Sequence, residues 1–162
     1  MKTSEENIAK VISTNKKALF LYDIVERFEA GIELAGSEVK SIRTGRVNIS
    51  DAFAMVKKSE LFIYNMHISP YEKTAIFKPN PKRTRRLLMH KKEIRKLTSK
   101  TSQGGYTIVP LRIYITRRGL VKLEIALVRG RKRFGRKAYL LEKEKEREKQ
   151  RELGEWLKGK GQ

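Results

Sequence analysis

Two histidines, His67 and His90, are the first residues to test for acid–base chemistry. His67 stands beside "SPY" at a strand end and His90 in a strongly basic stretch, and neither has a carboxylate at a telling spacing. A packed or solvated histidine is the commoner fate of such residues. Asp23, Glu26, Glu29 and Glu33 could converge along one strand, but scattered acids are ordinarily a solvated face. No glycine-rich phosphate loop, nucleophile elbow or metal-ligand spacing occurs. The absence of cysteine removes disulfides, thiolate metal sites and a thiol nucleophile. The residues therefore describe a protein that is not an enzyme and calls for no cofactor.

Cations are what the chain has in excess. Lys and Arg total 38 against 18 Asp and Glu, a net charge of +20. Ten Lys or Arg fall between Lys78 and Lys100 with one acid, Glu93. Residues 129–137, "RGRKRFGRK", hold six more and no acid. Each phosphate neutralised by such residues releases condensed counterions, which makes nucleic acid the first partner class. An anionic membrane surface is second. A single charge run is commonly just a solvated face; two runs without balancing acid favour nucleic acid. Phe134, bracketed by Arg131, Lys132, Arg133, Arg136 and Lys137, has no apolar neighbour and suits stacking on a nucleobase. Trp156-Leu157, an isolated apolar pair in a polar tail, is either a docking anchor or an inert end. No apolar run approaches the ~20 residues that cross a bilayer, and the first residues lack the apolar region of a secretory signal. A cytoplasmic location follows as the expectation.

The elements that must position these groups fit one domain with an appendage, since the chain has 162 residues. Residues 18–34 read as a long first strand bent at Ala30-Gly31. "GSEVKSIR" reads as a short helix: Ser37 caps it, Glu38 complements the macrodipole, Val39 and Ile42 face a core, Lys40 and Arg43 point outward, and Gly45 stops it. "DAFAMV" and "LFIYNM" flank "KKSE" as a hairpin. Pro79 and Pro81 keep their segment extended. A helix is then expected from Thr84 as N-cap, with Leu87, Ile94 and Leu97 on one face, ending in a flexible "SKTSQGG" loop. Val109, Leu111, Ile113 and Ile115 share one strand face, and Val121, Leu123, Ile125 and Leu127 share another across "RRG". These elements suggest a mainly β chain: an OB-type antiparallel β-barrel with embedded short helices, the alternative being an open α+β sheet. The expected divisions are a flexible segment 1–14, a barrel 15–128 and a basic, disorder-prone tail 129–162. In the tail, "EKEKEREKQRE" alternates sign, so its i,i+3 and i,i+4 charge terms largely cancel. With few apolar residues it is expected to become helical only against a partner.

"FEAGIELAGSEVKSIRTGRVNISDAF", "NMHISPY", "KRTRRLLMHKKEI" and "GGYTIVPLRIY" closely resemble the small protein B family of bacterial trans-translation, in order from about Asn15 to Lys137. The resemblance implies an OB-type barrel that binds the tRNA-like domain of transfer-messenger RNA (tmRNA, SsrA RNA) as a monomer, one to one, and delivers it to stalled ribosomes for rescue and peptide tagging. It further implies that Asn15, Glu29 and Leu88 bind RNA, with Lys40, Arg83 and Arg85 as supporting contacts. The tail would enter the empty messenger channel of the ribosome and fold there. Arg129, Arg131, Lys132, Arg133, Phe134, Arg136 and Lys137 would contact ribosomal RNA, with Trp156 and Leu157 as a distal docking element. Gly135 departs from the family, which commonly has Asp before the tail Lys-Arg pair. Membrane partners and metals are not implied.

Overall fold

The computed structural model describes residues 7–71, 78–130 and 133–160, with the side chains of 133–142 and of residue 160 outside the description. The chain forms two compact units, 1–130 and 131–162.

The first unit is mainly β. It opens with β1 (Ile8–Thr14), so half of the segment expected to be flexible is a strand, paired along β8. The stretch expected to be one strand from residue 18 divides instead into α1 (Lys16–Leu21) and β2 (Tyr22–Ile32). Asn15 is the reason: its side chain accepts from the Ala18 amide at 3.1 Å and starts the helix. β2 is continuous through Ala30-Gly31, and its irregularity lies between Ile24 and Glu26. Next come α2 (Gly36–Arg43), the short β3 (Val47–Asn48), the hairpin β4 (Phe53–Lys57) and β5 (Glu60–Tyr64), and the short β6 (His67–Ile68). Lys58 and Ser59 both have positive φ, which gives this two-residue hairpin turn the twist its strands require.

Three expectations about helices change. Ala35, not Ser37, is the N-cap of α2, because the Glu38 carboxylate reaches back to the Ala35 amide at 2.9 Å. The face of α2 that packs inward is Glu38, Ser41 and Ile42, while Val39 is half-buried. Gly45 does end the helix, at φ +81. The helix expected from Thr84 is instead the strand β7 (Arg85–Leu88), followed by α3 (Lys91–Ser102) with His90 as N-cap. Leu87 pairs with Leu61 and Ile32 in flanking strands, so sheet pairing overrides the helical spacing it shares with Ile94 and Leu97. α3 also absorbs the first residues of the expected loop, and Gly104 and Gly105 at positive φ carry the turn. Before β7, Pro81 occupies a turn in which the Asn80 side chain accepts from the Lys82 amide at 2.9 Å.

β8 (Tyr106–Thr116) and β9 (Val121–Gly130) form the expected long hairpin. A register shift between Pro110 and Arg112 divides the β8 face into two. Proline cannot donate to the ladder, so the irregularity falls where the strand can accommodate one. Ile108 and Ile113 join the main core with Leu61, Ile63, Leu87, Leu97, Leu123 and Ile125. Val109 and Leu111 instead pack with Ala18, Ala126 and Val128 in a second cluster beneath α1. Strand pairing runs β8-β4-β5-β7-β2-β9 and returns from β9 to β8, with β1 added on β8. The main core occupies the inside of that circuit.

The second unit is one helix, α4 (Arg133–Lys160), within the tail expected to become helical against a partner. Glu, Lys and Arg all have strong helix propensity, which favours the state even where charge pairs cancel. Its Leu153, Trp156 and Leu157 are each more than half exposed. Among the described residues, no helix is long and apolar enough to cross a membrane.

Candidate nucleic-acid interface

Outside the circuit, β2, β9 and β8 present a polar face ordered in rows. Directly opposed residues on neighbouring antiparallel strands share a face. Glu29 lies opposite Glu124, which lies opposite Arg112. One step along, Leu88 of β7 lies opposite Gly31, Gly31 opposite Lys122, and Lys122 opposite Tyr114. Phe28, Ala30, Leu123 and Ile125 alternate with these residues and fill the core. The core thereby fixes which side chains face outward.

The charges on this face are organised. Glu124 is nearly inaccessible and is satisfied from both sides, by Arg112 Nη2 at 3.1 Å and Arg27 Nη1 at 3.3 Å. Without those guanidiniums, burial of the carboxylate would be costly. Glu29 is held separately: its Oε2 accepts from the Tyr114 hydroxyl. The Arg112 guanidinium stacks 5.6 Å from the Tyr114 ring centre. The four acids of the first long strand do not converge. Glu26 pairs with Lys96 of α3 at 2.7 Å, Glu33 with Arg86 at 3.2 Å, and Glu29 with Tyr114.

Between this face and the start of α3 lies a groove of about 720 Å³. Glu29, Gly31, Leu88, Lys92 and Lys122 line it, together with His90. Leu88 is 44% exposed, a large apolar side chain offered to solvent at a charged wall. Gly31 lets Leu88 and Lys122 approach the β2 backbone closely. A methyl group there would sit 3.3 Å from Leu88 Cβ and 3.6 Å from Lys122 Nζ. The arrangement suits a flat, hydrogen-bonding, anion-bearing ligand, which describes an unstacked nucleotide.

The remaining expected RNA contacts divide. Lys40 is exposed, its Nζ 5.5 Å from the Tyr71 ring centre. Asn15 is buried, and its amide is spent within the fold: besides capping α1 it donates to the Pro110 carbonyl at 2.8 Å. Arg85 is 1% exposed and donates to Glu38 Oε2 at 2.7 Å, the Met66 carbonyl at 2.7 Å and the Pro81 carbonyl at 3.0 Å. Arg83 is half-buried and donates through Nε to Glu38 Oε1 at 3.1 Å. Glu38 is thus a buried clamp joining α2 to the segment that leads into β7. Burial alone would raise its carboxyl, but hydrogen bonds from Arg83, the Ala35 amide and Arg85 hold it below the usual carboxylate range. Arg83 and Arg85 support the strand that carries Leu88; their cations are engaged internally.

Of the expected tail residues, Arg129 lies next to last in β9 with its guanidinium 5.6 Å from the Tyr106 ring centre. Arg131 and Lys132 lie outside the described residues. Arg133, Phe134, Arg136 and Lys137 belong to the first turns of α4, with their side chains outside the description. Trp156 and Leu157 are exposed on its last turns. His67 lies in β6 and His90 caps α3, on different elements. Gly31, Tyr114 and Lys122 were not identified as site residues from the sequence. The alternation of β8 and β9 sets Tyr114 and Lys122 opposite the apolar positions, but only the register places them beside Glu29.

The SmpB protein family model matches residues 12–155. An SsrA-binding protein of Caldicellulosiruptor bescii is 48% identical over 155 residues, 96% of this chain and 98% of that one. An SsrA-binding protein of Bacillus cytotoxicus is 52% identical over 139 residues, 86% of this chain and 89% of its own length. Among solved structures, a chain described under "tmRNA-SmpB: a journey to the center of the bacterial ribosome" superposes with a TM-score of 0.65 at 45% identity. That match covers 77% of this chain and 87% of the other. A family match over this much of the sequence, with relatives near half identity across almost their whole length, makes the chain a member of the SmpB family.

Proposed function

We propose that this chain binds the tRNA-like domain of tmRNA through the groove face and accompanies it to stalled ribosomes in trans-translation, catalysing no reaction itself. The family is an RNA-binding one, and its members named above are SsrA-binding proteins. The observation that carries the reading is the meeting of Glu29 and Leu88, distant in sequence, at the wall of one groove lined by cations and carboxylates. The closed strand circuit fits an OB-type barrel, whose outer strand faces commonly receive nucleic acid.

Glu29, Leu88 and Lys40 are the direct contacts in this reading. Asn15, Arg83 and Arg85 act through the fold, keeping α1 and β7 in place. The carboxylate at Glu29 repels phosphate, so it contributes selectivity through base or sugar donors while the cations contribute affinity. The tail from Arg129 through Lys137, with Trp156 and Leu157, occupies the empty messenger channel. Its helix is marginal alone and is stabilised there by ribosomal RNA phosphates. The protein works in the cytoplasm as a monomer, one per RNA.

Deleting residues 131–162 separates the two roles. The expected result is tmRNA affinity within about threefold of the full chain, which is under 1 kcal/mol, with peptide tagging on stalled ribosomes abolished. Equal loss of both activities would overturn the division. Circular dichroism of the isolated tail peptide should show little helix in buffer.

A further inference from the structure

Three side chains on the groove face form a unit whose chemistry goes beyond attraction to phosphate. Tyr114 is 1% exposed, and its hydroxyl donates to Glu29 Oε2. Burial, and then the hydrogen bond to Glu29, push that hydroxyl well above its usual range, so it remains a donor at any physiological pH. One carboxylate oxygen is therefore pinned, while Oε1 has no hydrogen-bond partner among the described residues. Lys122 lines the same groove with its ammonium beside Gly31 and makes no ion pair among the described residues. Because Gly31 faces Lys122 and Glu29 faces Glu124, Glu29 and Lys122 are diagonal neighbours, about 7–8 Å apart at the backbone. Something placed between them can touch both.

The chemistry of that pair selects. A carboxylate only accepts and an ammonium only donates. The ligand edge must therefore carry donors at one end and an acceptor at the other. Guanine alone among the four bases has two adjacent donors, N1–H and N2–H, next to the O6 acceptor. Adenine and cytosine each offer one exocyclic amine beside a ring acceptor, and uracil offers one N–H between two acceptors. In a duplex the guanine edge is consumed by pairing, so the target is unpaired.

Resting on the tmRNA-binding reading, we propose that Glu29, oriented by Tyr114, and Lys122 together read the Watson–Crick edge of one unpaired guanine. Its face lies against the exposed side chain of Leu88 in the groove. Glu29 accepts from N1–H and N2–H through Oε1 and the remaining lone pair of Oε2, and Lys122 donates to O6. Tyr114 is a positioning residue, acting through Glu29 and not on the base.

Kethoxal, which adds across N1 and N2 of accessible guanines, tests this on transcribed tmRNA bound by the full chain at saturation. Wild type is expected to protect one unpaired guanine. Glu29→Gln, Lys122→Gln and Tyr114→Phe should each re-expose it while the RNA remains bound at higher protein concentration, with affinity lowered about tenfold. Lys10→Gln, a cation on the edge strand β1, should leave the protection in place. Lys122 is a surface residue, so its variant keeps the test decisive should Tyr114→Phe fail to fold. The proposal is overturned if wild type protects no unpaired guanine, or if protection survives in both Glu29→Gln and Lys122→Gln. Failure to prefer tmRNA over tRNA at all would instead sink the function proposed above, a separately readable result.

Discussion

Glu38→Gln separates structural from RNA-contacting arginines. Wild-type Glu38 accepts from the Ala35 amide, Arg83 and Arg85, and Arg85 has no other carboxylate partner among the described residues. The carboxamide keeps the shape but removes the counter-charge from a guanidinium that is 1% exposed. It also turns an NH₂ toward groups that are themselves donors. Leaving one member of a buried ion pair uncompensated costs about 3–5 kcal/mol. With a urea m-value of about 2 kcal/mol/M, the unfolding midpoint should fall by about 1.5–2.5 M. Asp51→Asn removes the exposed Lys17–Asp51 pair and serves as the control, at under about 1 kcal/mol. Replacing both Glu38 and Arg85 by apolar residues of similar size should recover much of the loss. Urea titration by circular dichroism gives the stabilities, and filter binding where Glu38→Gln is still folded gives the tmRNA to tRNA affinity ratio. That ratio should be unchanged. A stability loss below 1 kcal/mol together with a collapsed ratio would refute the assignment of Arg83 and Arg85 to the clamp.

Acid sensitivity follows from the same group. Its carboxyl is held below the usual range, so its stabilising contribution is complete above the unfolded value near pH 4.3 and is lost as pH falls through the lower folded value. Urea midpoints measured from pH 6 down to pH 2 should decline more steeply in wild type than in Glu38→Gln. Asn15→Ala removes a cap and leaves the Pro110 carbonyl short of a donor. It should cost about 1–2 kcal/mol and lower Tm by about 2–8 °C, without changing RNA preference in the folded protein. Gly31→Ala would place a methyl group 3.3 Å from Leu88 Cβ. Stability should move by less than about 1.5 kcal/mol, while calorimetry shows tmRNA affinity falling tenfold or more.

The sequence revealed the pieces that depend on periodicity, and concealed those that depend on register. The β8–β9 hairpin and the α2 stop at Gly45 were legible because alternation and a positive-φ glycine are local signals. The segment 84–97 misled because Leu87, Ile94 and Leu97 have helical spacing while Leu87 belongs to a strand fixed by Leu61 and Ile32. Asn15 could be recognised through family resemblance but not as a buried residue, since the Pro110 carbonyl it donates to is remote in sequence, and its local cap on Ala18 is hidden where 18–34 reads as one strand. The same limit applied to Arg83 and Arg85, which look like surface cations until Glu38 is found beneath them. Tyr114 and Lys122 emerged only when neighbouring strands set them against Glu29 and Gly31.

The central claim is that this chain selects tmRNA by shape and hydrogen bonding in addition to its +20 charge. A binding titration against tmRNA and ordinary tRNA across a salt series tests it most directly. Both affinities should fall with salt as counterions compete, and the account predicts that the preference for tmRNA persists at the highest salt at which binding is measurable. If the two curves instead fall together with one slope and converge, charge alone explains the binding and the account is contradicted.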